Sequence, residues 1–240
     1  MRNWILVIVV FISSSLFVNA QSFGVSMSYF YPKNGYFASP IAPLSFHDLG
    51  VGFGDNLSLA FSMSLYNVGG MSMGGELPLG GIPLSLSDDN TPLIGPFLSL
   101  AIGVYPIIKL PLSKDKLELE LKGGWLGFKN FSPKLMKGNM NELISDHQSV
   151  TVTSSEIEFD NKFGSGWSFG GDIIFFVTET LGIKIGGKYL LAELDLNLRG
   201  SYTSIDPLTN NLIQVNIDAP DAYLDYQGLS VNFGVIIKNK

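Results

Sequence analysis

Residues 57–65 read LSLAFSMSL, with a large apolar residue at every odd position and Ser or Ala at every even one. Side chains at that spacing in a strand fall on opposite faces. A strand half immersed in water carries Lys, Glu, Thr or Gln on its wet face. Here that face is small and only mildly polar. The pattern calls for a sheet with one face in an apolar medium and the other in a confined space.

The unit comes back. DNLSLAFSMSLY from Asp55, DKLELELKGGWL from Asp115 and ETLGIKIGGKYL from Glu179 each place a polar turn before Leu and an alternating strand. Each follows another apolar strand, at 49–53, 97–110 and 167–177. Short turns at 54–56, 111–116 and 178–180 make these pairs hairpins, whereas the connections at 31–48, 66–95, 127–166 and 199–225 are long, polar or Gly-rich. Adding 23–30 and 228–237 gives eight strands with both chain ends on the short-turn side.

Opposed residues of an antiparallel hairpin point the same way. The turns are expected to pair Phe53 with Leu57, Leu110 with Leu117 and Val177 with Leu181, all on the apolar face. That face, from Phe23 and Val25 through Leu119 and Trp125 to Phe233 and Val235, carries no charge. A membrane wall requires this, since a charge on the lipid face costs about 2–4 kcal/mol at the bilayer midplane. Tyr29, Trp125, Trp167 and Tyr189 fall at the loop ends of the strands and Phe23, Phe53 and Phe175 at the turn ends, where aromatic girdles belong. The expected fold is all-β: an eight-stranded antiparallel transmembrane β-barrel with short periplasmic turns and long extracellular loops. Ser58, Ala60 and Ser62 then face a narrow lumen. A soluble β-sandwich or lipocalin-like barrel would need a charged outer face that these strands lack.

Composition agrees. Charged residues are 15% of the chain and hydrophobic ones 46%, against roughly 25% charged in a typical soluble domain. The start, MRNWILVIVVFISSSLFVNAQ, has Arg2, an apolar core and a small-residue site, so residues 1–20 read as a secretory signal peptide cleaved between Ala20 and Gln21. As a membrane anchor the core is broken too early, at Ser13-Ser14-Ser15, for a span of ~20 residues. Residues 21–240 form the barrel. A net charge of −6 without a basic patch argues against nucleic acid as a partner. The absence of Cys excludes disulfides and thiolate metal sites.

With these strands, turns and loops the chain resembles the small outer-membrane β-barrels of the OmpA/OmpX/OmpW kind. The resemblance covers residues 21–240 and implies residence in the bacterial outer membrane, termini periplasmic, with outer-membrane lipid as surroundings. YQGLSVNF is similar to the last-strand signal read by the barrel-assembly machinery: Tyr226, Gly228, then Val231 and Phe233 two apart. The chain runs on through GVIIKNK instead of ending on an aromatic.

Charges on the lumen face gather in the second half: Lys109, Glu118, Glu120, Lys122, Asp172, Lys184 and Lys188. The turn at 111–116 is expected to set Lys109 opposite Glu118, and Asp172 falls opposite or diagonal to Lys184 and Lys188. Two readings stand. One is a salt-bridged structural core; the other is a selectivity lining for small polar solutes in a narrow porin-like channel. Lumens of about eight strands are only wide enough to be filled by side chains, which favours the first.

The loops at 149–159 and 194–217 carry strand patterns of their own, with Leu198 expected opposite Ile213, Leu196 opposite Val215 and Leu194 opposite Ile217. They point to a sheet above the membrane that continues the wall or recruits an extracellular protein. The two histidines, His47 beside Asp48 and His147 beside Asp146, fall in expected outer loops with Asp88-Asp89. They are similar to the His-Asp and Asp-Asp pairs of outer-membrane proteases, which use a larger barrel; such pairs are more often solvated loop residues. No Ser-centred motif, metal-ligand spacing or phosphate loop appears, so neither an enzyme nor a cofactor is expected. The functional expectation is a structural or surface-recognition barrel acting through its loops.

Overall fold

A computed structural model of the chain describes residues 22–33, 41–53, 56–71, 73–78, 81–86, 91–113, 116–206 and 209–238. The expected signal peptide, its Ala20–Gln21 junction and Asp88-Asp89 lie outside them.

The strands are β1 (Ser22–Pro32), β2 (Ile41–Gly52), β3 (Leu57–Val68), the short β4 (Met73–Gly74), β5 (Glu76–Leu77) and β6 (Ile82–Pro83), then β7 (Phe97–Ser113) and β8 (Leu117–Phe131). Helix α1 (Lys137–Gln148) follows, then β9 (Thr151–Glu158), β10 (Phe163–Phe176), β11 (Leu181–Asp195), β12 (Leu198–Ile205), β13 (Leu212–Ala219), β14 (Tyr223–Asp225) and β15 (Gly228–Lys238). Eight of them close a ring in the order β1-β2-β3-β7-β8-β10-β11-β15, every neighbour antiparallel. The seam is β1 on β15, in unbroken register from Ser22↔Lys238 to Pro32↔Gly228. Closure leaves the ring without an edge to satisfy.

The alternation reads out as the two faces. Leu57, Leu59, Leu121, Phe169, Ile173, Phe175, Ile185 and Phe233 are all exposed outward, while Ser58, Ala60, Ser62, Ser64 and Ala101 are buried inside. Two of the expected turn pairings stand: Phe53 N–H donates to Leu57 O at 2.7 Å and Val177 N–H to Leu181 O at 2.9 Å. The third is corrected. Leu110 lies opposite Leu119 rather than Leu117, because β7 runs on to Ser113 with a register break between Pro111 and Ser113. A slip of two residues keeps every face.

The connection at 31–48 is not all loop. β2 begins at Ile41, and its pairing with β3 slips between Ile41 and Ser45 and again between Phe46 and Leu49. These are β-bulges, each adding a residue to β2 and breaking the alternation that marks a strand. At the second, Asp48 adopts φ 60° and residues 47–50 are all buried.

The loop end is filled as well as covered. Met71, Met73 and Leu77 from the segment after β3, Met140 and Ile144 of α1, and Leu194 of β11 join Phe30 and Phe128 of the wall in one buried apolar cluster. β4 pairs with β14, which extends the β11 edge over the mouth. Beyond it β13, β12 and β9 form a three-stranded sheet. The expected register of its hairpin is corrected: Leu198 opposes Ala219, and Ile213 opposes Ser204. The strand starts at Leu198 and runs further out, so the turn lies beyond Ile205.

Candidate functional site: the charged layer of the lumen

Lys184 sits at the centre of the lumen with no exposed surface. β11 directs its side chain inward, and the Nζ stands 2.9 Å from Glu120 Oε2 of β8 and 2.8 Å from Asp172 Oδ2 of β10. It also forms an ion pair with Asp48 Oδ2 of β2. Lys122 pairs with Asp172 and lies 3.9 Å from Asp48 Oδ1. His47 Nδ1 is 2.7 Å from Asp48 Oδ2. Since an ionised carboxylate only accepts, the ring donates from Nδ1. Asn232 Nδ2 donates to Asp172 Oδ1 at 3.2 Å. Three carboxylates thus face Lys184 and Lys122, and Lys188 lies across a small cavity as a third cation.

Glycine makes the room. A Cβ at Gly186 would collide with the Asp172 carboxylate, and one at Gly24 with the His47 ring. Each glycine is the register partner of that residue on the neighbouring strand, so the carboxylate and the ring lean over a bare backbone. Lys122 also stands over the Tyr105 ring, 5.6 Å from its centroid, a cation–π contact.

The layer is sealed on both sides. Toward the turns lie buried Ile174, Phe176 and Ile236; toward the loops lies the apolar cluster around Phe30, Met71 and Phe128. The cavity beside the charges, lined by Ser26, Ser28, Ser45, Ser62, His47 and Lys188 among others, measures ≈ 20 Å³. Roughly 10–15 Å³ is the space of one water. Among the described residues this charged layer is closely packed.

Of the residues singled out from the sequence, Glu120, Lys122, Asp172 and Lys184 meet directly, with Asp172 diagonal to Lys184 and Lys188 through its partner Gly186. Lys109 and Glu118 are not brought together. In the observed register Lys109 faces Glu120, and Glu118 accepts from Lys238 Nζ at 2.9 Å near the turn end. His47 and Asp48, expected in an outer loop, are in the lumen instead. One signal was available: the lumen face counted four lysines against three acids. His147 is in the last turn of α1, far along the fold from His47. Among the described residues no group of three or more His, Cys, Asp or Glu has metal-holding geometry.

Tyr226 is buried at the loop end, stacked on Phe128 with centroids 4.2 Å apart, and its hydroxyl donates to Asn130 Oδ1 at 2.7 Å. Gly228 opens β15 where a Cβ would press on the Tyr31 carbonyl, and Val231 and Phe233 point outward.

The closed ring, with an outward face that is uncharged up to Trp125 and Trp167, decides the architecture. The fold is a closed eight-stranded antiparallel β-barrel, an architecture it shares with the small outer-membrane β-barrels. No family model matches the chain, and no curated protein does. Among solved structures it is similar to the outer membrane protein OprG from Pseudomonas aeruginosa, at 11% identity and TM-score 0.47, covering 92% of this chain and 97% of that one. It is similar to Ail, the attachment invasion locus protein of Yersinia pestis, at 10% identity and TM-score 0.41, covering 91% and 95%. Outer membrane protein W of E. coli is similar at 8% identity and TM-score 0.36, covering 92% and 98%. These neighbours are bacterial outer-membrane proteins.

Proposed function

We propose that this chain is an outer-membrane protein with periplasmic termini, whose barrel is a closed structural support for a folded surface layer. One observation carries the reading: the lumen is occupied across its width by the Lys184 ion cluster and stoppered by apolar side chains on both sides. A path for ions or solutes requires continuous water, and a ≈ 20 Å³ cavity provides none. What remains to act is outside the barrel: α1 and the sheet β13-β12-β9, which present Leu212, Ile213 and a row of polar residues to the surroundings. The reading is therefore recognition through that layer, with an extracellular protein as the partner class. The outward Val231 and Phe233 on β15, with Gly228 before them, serve the barrel-assembly machinery as the last-strand signal. No catalytic or cofactor role is assigned.

Purified protein in planar bilayers tests the closed lumen. The expected record shows no steady single-channel conductance. Steady conductance whose ion selectivity moves with Glu120→Gln would replace this reading with the narrow channel for small polar solutes.

A further inference from the structure

At the loop end of β8 and β10 a cleft of ≈ 610 Å³ opens between the segment leading into α1 and the segment between β9 and β10. Its walls include Lys134, Lys137, Leu135, Ile157, Phe159 and Asn161, and Glu158 is the one acid in its lining. The volume lies within the range of ligand pockets, roughly 300–1,000 Å³.

Its height on the barrel is readable from the outward face. That face is uncharged up to the paired Trp125 and Trp167. The first charges beyond it are Lys129, opposite Phe163, and Glu193, opposite Ser165. Tryptophan marks the boundary between hydrocarbon and headgroups, so Lys129 stands at headgroup level. The cleft begins directly above. Pro133 follows two residues after the exposed Phe131, and Asn161 precedes the exposed Phe163 by two. Lys129 Nζ donates to Asn161 O at 2.6 Å, and Asn161 Nδ2 donates to Asn130 O at 2.9 Å, tying the cleft floor to the end of β8. Below it Phe163 stacks on Trp125, centroids 6.0 Å apart.

We infer that this cleft holds the phosphate-bearing headgroup of an anionic membrane lipid, with Phe131 and Phe163 against its glycerol region and the acyl chains on the wall at and below Trp125. Phe131 and Phe163 carry exposed apolar surface from the Trp125 level past Lys129 to the cleft, and the two lysines in its lining outnumber its one acid. A free anion would have no use for the aromatic ramp; a lipid uses both. The inference rests on the membrane reading above.

Trp125 and Trp167 are the only tryptophans of residues 21–240, so quenching by bromine-labelled lipid reports the shell around this wall. In phosphatidylcholine vesicles at fixed ionic strength, brominated phosphatidylglycerol is expected to quench several-fold more effectively than the same fraction of brominated phosphatidylcholine. Lys134→Gln with Lys137→Gln should bring the two lipids to parity, whereas Lys116→Gln, at the opposite end, should leave the preference intact. Added inorganic phosphate should not compete; if it abolishes the preference, the cleft is a free-phosphate site and the lipid assignment falls. Equal quenching by both lipids in the wild type also overturns it, as does a preference that survives the double variant. If the double variant does not fold, Lys137→Gln alone must reduce the preference. Absence of quenching by either lipid would instead strike the membrane reading itself.

Discussion

Lys184 and Asp48, separated by 136 residues, form an ion pair inside the barrel with neither side chain in contact with solvent. The pair spans the lumen from β11 to β2, and Glu120 and Asp172 complete the shell around the ammonium group. A barrel must fill its interior with whatever alternates against its apolar wall. Here, at mid-height, that filling is ionic.

Removal of one partner from such a cluster should be felt as lost stability. Asp48→Ala leaves the Lys184 side of the cluster short of a carboxylate and His47 without its acceptor, and breaking a buried pair costs about 3–5 kcal/mol. Urea unfolding in lipid vesicles should show the midpoint falling with the slope unchanged. An unmoved midpoint would mean that water bathes the layer.

Gly186→Ala places a methyl group against the Asp172 carboxylate. Overpacking of this kind costs about 1–3 kcal/mol. Gly138→Ala, whose new methyl meets nothing within 4 Å, is the comparison: it lies in α1 and should be neutral or slightly stabilising, by up to about 1 kcal/mol. Thermal or urea unfolding of the two variants side by side reads the contrast. Equal effects would contradict the packing of the layer.

Leu119 faces outward on β8, paired with Leu110 and Ile173. Leu119→Arg should cost about 2–4 kcal/mol in a bilayer, falling toward the interfaces. Ser62→Arg, on the buried face of β3, should fail for a different reason, by crowding the lumen. If Leu119→Arg inserts into vesicles at wild-type stability, the outward face is not in lipid.

Orientation is checked on intact cells. An epitope inserted at Asn210, in the turn between β12 and β13, should be bound by antibody without permeabilisation. One inserted at Glu179, in the turn between β10 and β11, should be reached only after it. Surface labelling at Glu179 would reverse the topology.

The wall was legible because strand geometry has a period of two. A run such as 57–65 assigns each residue to a face without knowledge of its neighbours, and even the two-residue slip at Leu110 left those faces intact. His47 and Asp48 were illegible for the complementary reason. The bulge between Phe46 and Leu49 adds a residue to β2, so the alternation fails where the strand turns its charged side chains inward. The apolar filling of the loop end was equally hidden: Met71, Met73, Leu77 and Ile94 belong to short, irregular segments with no period to count.

The sequence by itself determined that the chain makes strands with one apolar and one small or charged face, that short turns join them in pairs, and that the wall carries no charge. These are local properties, decided by the alternation of side chains along an extended backbone. Only the tertiary structure decided which charges meet. Lys184, Glu120, Asp172 and Asp48 come from four strands, and their contacts depend on the register of every intervening hairpin. A turn of one length or another moves a lysine past its carboxylate by several ångströms, since each residue advances a strand by about 3.3 Å. Whether the lumen is a packed core or a path is set by that accumulated register and by the segments that fold back into its mouth, and no single stretch of the chain encodes it.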